Sequence, residues 1–261
     1  MTTIPATEES TPLLHMQDGV ATITLNRPSH RNRLHNDDLR VLLEHFRTIN
    51  ARTAVRAVVL TGRVLEQRPV FCAGYHIGQH GSEHPDAGFE QVADALEALR
   101  PVTVCALNGS VYGGATDLVL ACDFAIGVAG MEMRMPAAAL GMHYYPGGIA
   151  RYVSRLGLAN AKRAFLTAQT FAAEELLHMG YVHQLVLADH HAAAVHKLVD
   201  QVQGLAPLAV QTLKASLNEV ARGDFNAARL RERQHSTQAS QDFAEGCLAF
   251  AERRPPAFRG Q

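Results

Sequence analysis

The chain has 261 residues, 47% of them hydrophobic and 19% charged, which suits a globular protein able to bury its own core and excludes a disordered one. A formal net charge of −1 provides no field for collecting polyanions, so no nucleic-acid partner is expected. No apolar run approaches the roughly 20 residues of a bilayer span, so no membrane is expected either. The four cysteines (Cys72, Cys105, Cys122 and Cys247) lack CxxC spacing, which argues against a zinc site or a disulfide framework.

Residues 1–12, "MTTIPATEESTP", have neither a basic start nor an apolar core. They are therefore expected to be a mobile tail rather than a secretory signal, and the protein is expected to be cytoplasmic. "GVATITLNRP" places Val20, Thr22, Ile23 and Leu25 in a strand ended by Asn26-Arg27-Pro28. "NDDLRVLLEHFRTINA" predicts a helix capped by Asn36, with Leu39, Leu42, Leu43 and Phe46 on one face. "VRAVVLTG" is a second strand, and Val70–Ala73 a further apolar one that breaks at Gly74, just before Tyr75 and His76. Residues 78–88 are expected to form an exposed loop leading to the helix "FEQVADALEALR". "PVTVCALNG" is a strand, "GGATDLVLACD" a buried helix of small residues, and "FAIGVA" a strand behind it. From about Gly147 the pattern is helical, including one long stretch over 225–255 with a polar middle. Strands alternating with helices predict an α/β chain followed by a helical C-terminal region.

In α/β folds, ligands bind beyond the carboxyl ends of the strands. Two such places are rich in glycine: Ala73-Gly74-Tyr75 and Tyr112-Gly113-Gly114-Ala115. Glycine there lets backbone N–H groups turn outward, and a helix following the second break adds the positive end of its dipole. Two amides converging on one oxygen would form an oxyanion hole; otherwise both breaks are tight turns in which glycine serves sterics alone. No Walker loop, GxSxG nucleophile or dinucleotide GxGxxG is present.

"FCAGYHI", "NGSVYGGATDLVLACDFAI", "LGMHYYPGG" and "AFAERRPPAF", in that order and spread over nearly the whole chain, resemble the crotonase (enoyl-CoA hydratase/isomerase) superfamily. The resemblance implies an α/β fold with a crotonase-like ββα spiral core over 13–200 and a helical trimerisation region over 201–261. It implies an acyl-CoA thioester as ligand, with coenzyme A entering as part of the substrate and no separate cofactor or metal. It also implies a homotrimer, or a hexamer built as a dimer of trimers. By the family pattern the oxyanion donors are the backbone N–H groups of Tyr75 and Gly114, and a Cβ at Gly114 would intrude on the ligand. Backbone atoms around Ala73 and Gly74 would hold the adenine. Arg27 and Arg31 would meet the phosphates, and Arg253 the ADP end across a subunit boundary; the alternative for all three is solvated surface arginine.

Hydratases of this family use two glutamates. Asp117 stands at the first position, and the second, after Pro136, is Ala137. The motifs are closest to the methylmalonyl-CoA decarboxylase type, with Tyr144 at that type's tyrosine, although Tyr75 replaces its histidine and His76 the usual aspartate. A decarboxylase-like or otherwise non-hydratase enzyme is therefore expected. The alternatives are a hydratase or isomerase using Asp117, or a non-catalytic CoA-binding scaffold. Tyr144 is then a pocket residue or proton donor, or merely packed. Asp117 is an acid or base, or else caps a helix or meets a buried arginine. His76 and His143 contact substrate or are loop histidines, while Tyr112, with Gly113, walls the acyl pocket.

Overall fold

A computed structural model describes residues 9–65, 67, 69–76 and 85–261; the expected tail over 1–8 and the loop residues 78–84 lie outside them. In chain order the first part comprises β1 (Leu13–Gln17), β2 (Val20–Leu25), α1 (Asn36–Asn50), β3 (Ala57–Gly62), β4 (Val70–Cys72) and α2 (Pro85–Glu97). It continues with β5 (Val102–Leu107), β6 (Ser110–Tyr112), α3 (Ala115–Ala121), β7 (Phe124–Val128) and β8 (Glu132–Arg134). The second part runs α4 (Pro146–Thr167), β9 (Thr170–Ala172), α5 (Ala173–His178), β10 (Gln184–Val186), α6 (His191–Gln203), α7 (Pro207–Ala221), α8 (Ala227–Gln238) and α9 (Gln241–Glu252).

The strands divide between a six-stranded sheet, β1-β2-β3-β5-β7-β10, and a four-stranded one, β4-β6-β8-β9. The first is parallel except for β1, the second parallel except for β9. Three times the chain passes from a strand of the large sheet to a short strand of the small one and then to helical structure: β3-β4-α2, β5-β6-α3 and β7-β8-α4. This repeat is the ββα spiral. Val58, Leu60, Cys105 and Leu107 pack toward the helices α1, α2 and α3, while Ala57, Val59, Val104 and Ile126 meet Val195, Val199 and Val202 of α6. Burial on both faces is why β5, buried along its whole length, is apolar except for Thr103, whose hydroxyl is satisfied by Asp123.

Several elements differ from the sequence expectation. The strands β6, β8, β9 and β10 have three residues each, too few to show a period, and "FAAEELLHMG" divides into a strand and a helix. The helix α2 starts at Pro85, inside the expected loop, and stops at Glu97. The cap of α1 is His35 rather than Asn36: the His35 N–H donates to Asp38 Oδ2 at 2.8 Å, and Asn36 instead accepts the Tyr75 hydroxyl. The stretch 225–255 breaks at Ser240, whose Oγ accepts the Phe243 N–H at 3.1 Å and so starts a new helix. Gly157, at φ +74°, interrupts α4. Glu9 and Ser10 are tied down, Glu9 accepting from the Ser29 N–H (2.7 Å) and hydroxyl (2.6 Å). Among the described residues no helix is long and apolar enough to cross a membrane.

Candidate active site

The parallel neighbours β4 and β6 both end in glycine turns, and the turns touch. Gly74 has φ +92°, and a Cβ on it would lie 2.8 Å from the Tyr112 carbonyl oxygen and 3.2 Å from the Gly114 nitrogen. No side chain fits between the two breaks. Beside the first, Leu34 N–H donates to the Gly74 carbonyl (2.9 Å) and His76 N–H to the Leu34 carbonyl (3.0 Å). In a parallel ladder these bonds flank Tyr75 and send its own N–H to the side away from Leu34. In the second break Gly113 N–H is held by the Arg134 carbonyl at 3.0 Å, while Gly114 leads into α3 and its N–H finds no acceptor among the described residues.

A cavity of about 350 Å³ opens against these turns. One wall is largely main chain, at Ala73, Tyr75, Gly113 and Gly114, with the Tyr112 ring beside it. The other is made of side chains from the 135–145 segment, including Ala137, His143, Tyr144 and Tyr145, with Phe89 of α2 also in the lining. The Phe89 ring centroid lies 6.0 Å from that of Tyr75 and 6.2 Å from that of Tyr145. A Cβ on Gly114 would fall 2.9 Å from Phe89 Cζ. A side chain there would thus meet this ring within the protein itself, besides any clash with a ligand.

Asp117 follows Gly114 on α3 and is fully buried. Arg151 of α4 donates to both its oxygens, Nε to Oδ1 at 2.9 Å and Nη2 to Oδ2 at 2.7 Å. The Tyr145 hydroxyl also donates to Oδ2, at 2.7 Å, and the Tyr144 hydroxyl donates to Tyr145 at 2.9 Å. Of the readings offered for Asp117, the buried arginine partner is the one observed, and the carboxylate does not line the cavity. Burial, followed by the charge of Asp117, holds both phenols well above the ordinary tyrosine range. Burial works against the charge on Arg151, but its bonds to Asp117 and Asp94 outweigh that and keep it ionised.

A model of the family described as enoyl-CoA hydratase/isomerase matches residues 15–261. A Mycobacterium leprae protein named as a probable enoyl-CoA hydratase, echA6, is 31% identical over 93% of this chain and 97% of its own length. The crotonyl-CoA hydratase of Syntrophomonas wolfei is 28% identical over 94% of this chain and 96% of its own. The crystal structure of an enoyl-CoA hydratase from Bacillus anthracis superposes with a TM-score of 0.86 at 23% identity, covering 97% of this chain and all of that one, a likeness of fold. The chain belongs to the enoyl-CoA hydratase/isomerase family. Membership implies an acyl-CoA thioester as the substrate class. These relatives are hydratases by name, so they support the superfamily and not the decarboxylase subgroup that the motifs resemble.

Of the two positions where the sequence resemblance expects the family's carboxylates, Asp117 is buried and bound to Arg151, and Ala137 places a methyl group on the cavity wall. Among the described residues no Asp, Glu, Lys or Arg lines the cavity. His143 lines it and is exposed at its rim; its Nδ1 lies 2.7 Å from the Tyr144 carbonyl. Tyr112 points its hydroxyl toward Glu132 at 3.5 Å. His76 lies beside His35, the rings tilted and their centroids 4.9 Å apart, and is absent from the lining. Arg27 is engaged with buried Asp38 at 3.2 Å. Arg31 is exposed, and its carbonyl accepts the Ala73 N–H at 2.9 Å, which sets it beside the first glycine break. Arg253 is an exposed residue ending α9, outside the cavity lining. Among the described residues no three His, Cys, Asp or Glu side chains gather to hold a metal. Cys72, at the end of β4, is pushed up to about 12 by burial and is a packed thiol. Sequence reading missed Phe89, Tyr145 and the identity of Arg151; the doubled tyrosine was the visible signal for Tyr145.

Proposed function

We propose that the protein holds an acyl-CoA thioester with its carbonyl oxygen between the amides of Tyr75 and Gly114 and turns it over through a thioester enolate without a carboxylate base. Decarboxylation of a malonyl-type thioester is the reaction that fits best. The observation that carries this reading is the engagement of Asp117 by Arg151, coupled with Ala137 at the second family position. Decarboxylation needs no base: the bond from the α-carbon to the carboxylate breaks, CO₂ leaves, and the electron pair passes to the thioester oxygen. Each amide at that oxygen contributes on the order of 3 kcal/mol, about 100-fold or more in rate. A wall of Met135, Leu140, Phe89 and buried phenols strips water from the substrate carboxylate and raises its energy relative to the enolate.

The test is incubation with malonyl-CoA, methylmalonyl-CoA and crotonyl-CoA, followed by mass spectrometry. Loss of CO₂ from a malonyl-type thioester with crotonyl-CoA unchanged is expected; hydration of crotonyl-CoA alone would overturn it. Hydration is the second reading, favoured by the names of the relatives, and would require Asp117 to act through Tyr145. Tight binding of all three thioesters without turnover would instead support a scaffold.

A homotrimer, or a dimer of trimers, is proposed on the apolar surface that the C-terminal helices leave in one chain. Leu213, Leu217, Phe243 and Phe250 are exposed there, Phe250 at 87%. Sedimentation should show an oligomer that Phe250→Asp weakens.

A further inference from the structure

Every tyrosine in the cavity lining has its hydroxyl proton directed at another residue. Asp117 is an acceptor only, so Tyr145 must donate to it. The single Tyr145 proton is then spent, so Tyr144 must donate to Tyr145. Tyr75 donates to Asn36, and Tyr112 points to Glu132 across a longer 3.5 Å. Arg151 donates to both Asp117 oxygens, so the carboxylate faces Tyr145 as an acceptor, which fixes the direction of the chain. Burial reinforces it by making both phenols poorer acids.

On the reading of the site as an enolate-forming acyl-CoA enzyme, we propose that His143, not Tyr144, delivers the proton that quenches the enolate, and that Asp117 is a positioning residue that locks Tyr144 into a non-donating role. His143 is the remaining described titratable side chain on the cavity wall whose proton is not committed in full. Its Nδ1–H donates to the Tyr144 carbonyl and fixes the ring, leaving Nε2 as the working nitrogen. The donor is the imidazolium form of His143, protonated on both nitrogens: its Nε2–H bond breaks, the enolate carbon–carbon π pair forms the new α C–H bond, and the electron pair of the broken bond stays on Nε2. The ring, left with Nδ1–H alone, takes its second proton back from solvent, which its exposure allows.

The experiment is decarboxylation of methylmalonyl-CoA in D₂O, reading the configuration of the α-deuterated propionyl-CoA by NMR after derivatisation with a chiral amine. A fixed donor deuterates one face, whereas solvent reaches both. The wild type and Tyr144→Phe are expected to give one enantiomer, and His143→Gln a near-equal mixture while still releasing CO₂. A change that merely loosened the pocket would lower the rate without this selective loss. Retained selectivity in His143→Gln, or its loss in Tyr144→Phe or Tyr112→Phe, would overturn the assignment and leave the enolate reading standing. Failure of the wild type to release CO₂ would overturn both. Asp117→Asn, whose amide can donate to Tyr145 and reverse the chain, should leave His143-directed selectivity intact but add a second donor, lowering the excess of one enantiomer.

Discussion

The two walls of the cavity are built differently. The wall at Ala73–Tyr75 and Gly113–Gly114 is largely main chain, set by two glycines at positive φ, +92° and +56°, and by ladder bonds from Leu34 and Arg134. The other wall is side chain; Ala137 offers a methyl group there, and the Asp117 carboxylate behind it is held by Arg151. On the proposed reading, main chain decides what the site can hold and side chains decide what happens next, so changes to the two walls should fail in different ways.

The largest effect should come from breaking the main-chain wall. Gly74→Val puts a side chain 2.8 Å from the Tyr112 carbonyl oxygen at a φ that suits only glycine, and turnover should fall about 100-fold or more. Wild-type turnover in a folded variant would sink the oxyanion-hole assignment. Gly114→Val should also lose activity while folding, by displacing Phe89 into the cavity; circular dichroism alongside the thioester assay checks both halves of that statement. Next, Arg151→Met leaves the buried Asp117 with the Tyr145 hydroxyl but without its cation, and should cost about 3–5 kcal/mol in a denaturant titration. Replacing both partners, Arg151→Met with Asp117→Leu, should recover much of that loss, which would mark the pair as a positioning device rather than a source of stability.

Acid should loosen the sheet behind the site by a smaller amount. Burial first, then the charge of Arg155, lowers the pKa of His183, which is neutral in the fold and accepts the Ala125 N–H at 3.1 Å. Between the lowered native value and the ordinary one near 6.5, the unfolded chain binds more protons, so stability falls as pH drops through that window and levels off above it. Melting temperatures across pH, with His183→Gln showing a shallower fall, check the sign. The smallest effect is expected for Tyr112→Phe, which removes one exposed 3.5 Å contact: less than about 0.5 kcal/mol in stability and little change in thioester affinity by calorimetry.

The main-chain wall could be read from sequence because a glycine at a strand end is a local signal, and Gly74 and Gly113-Gly114 each follow an apolar run. Ala137 was legible for the same reason, being a single position inside a recognisable block. The partner of Asp117 was not, since Arg151 lies 34 residues further on and meets it only once α3 and α4 pack. The direction of the tyrosine chain is likewise a property of three side chains in space. The three-residue strands β6, β8 and β9 owe their conformation to neighbours in the small sheet, and β10 to β7 in the large one, rather than to any pattern of their own. Phe89 gave no sign of a site role, for it reads as the first apolar residue of an ordinary amphipathic helix.

The helix α7 is joined to the spiral core by charge as well as by contact. Lys214 reaches Asp123 at 2.7 Å and the Pro101 carbonyl at 2.9 Å, while Arg222 reaches Glu97 at 2.7 Å, the same buried carboxylate that Arg151 approaches at 3.4 Å. A chain cut before α7 would take a cation from both acids, leave Glu97 leaning on Arg151, and tilt the balance of the guanidinium that steadies Asp117. The C-terminal helices therefore close the electrostatics of the interior, and shortening them should be felt at the cavity beside α3 and α4.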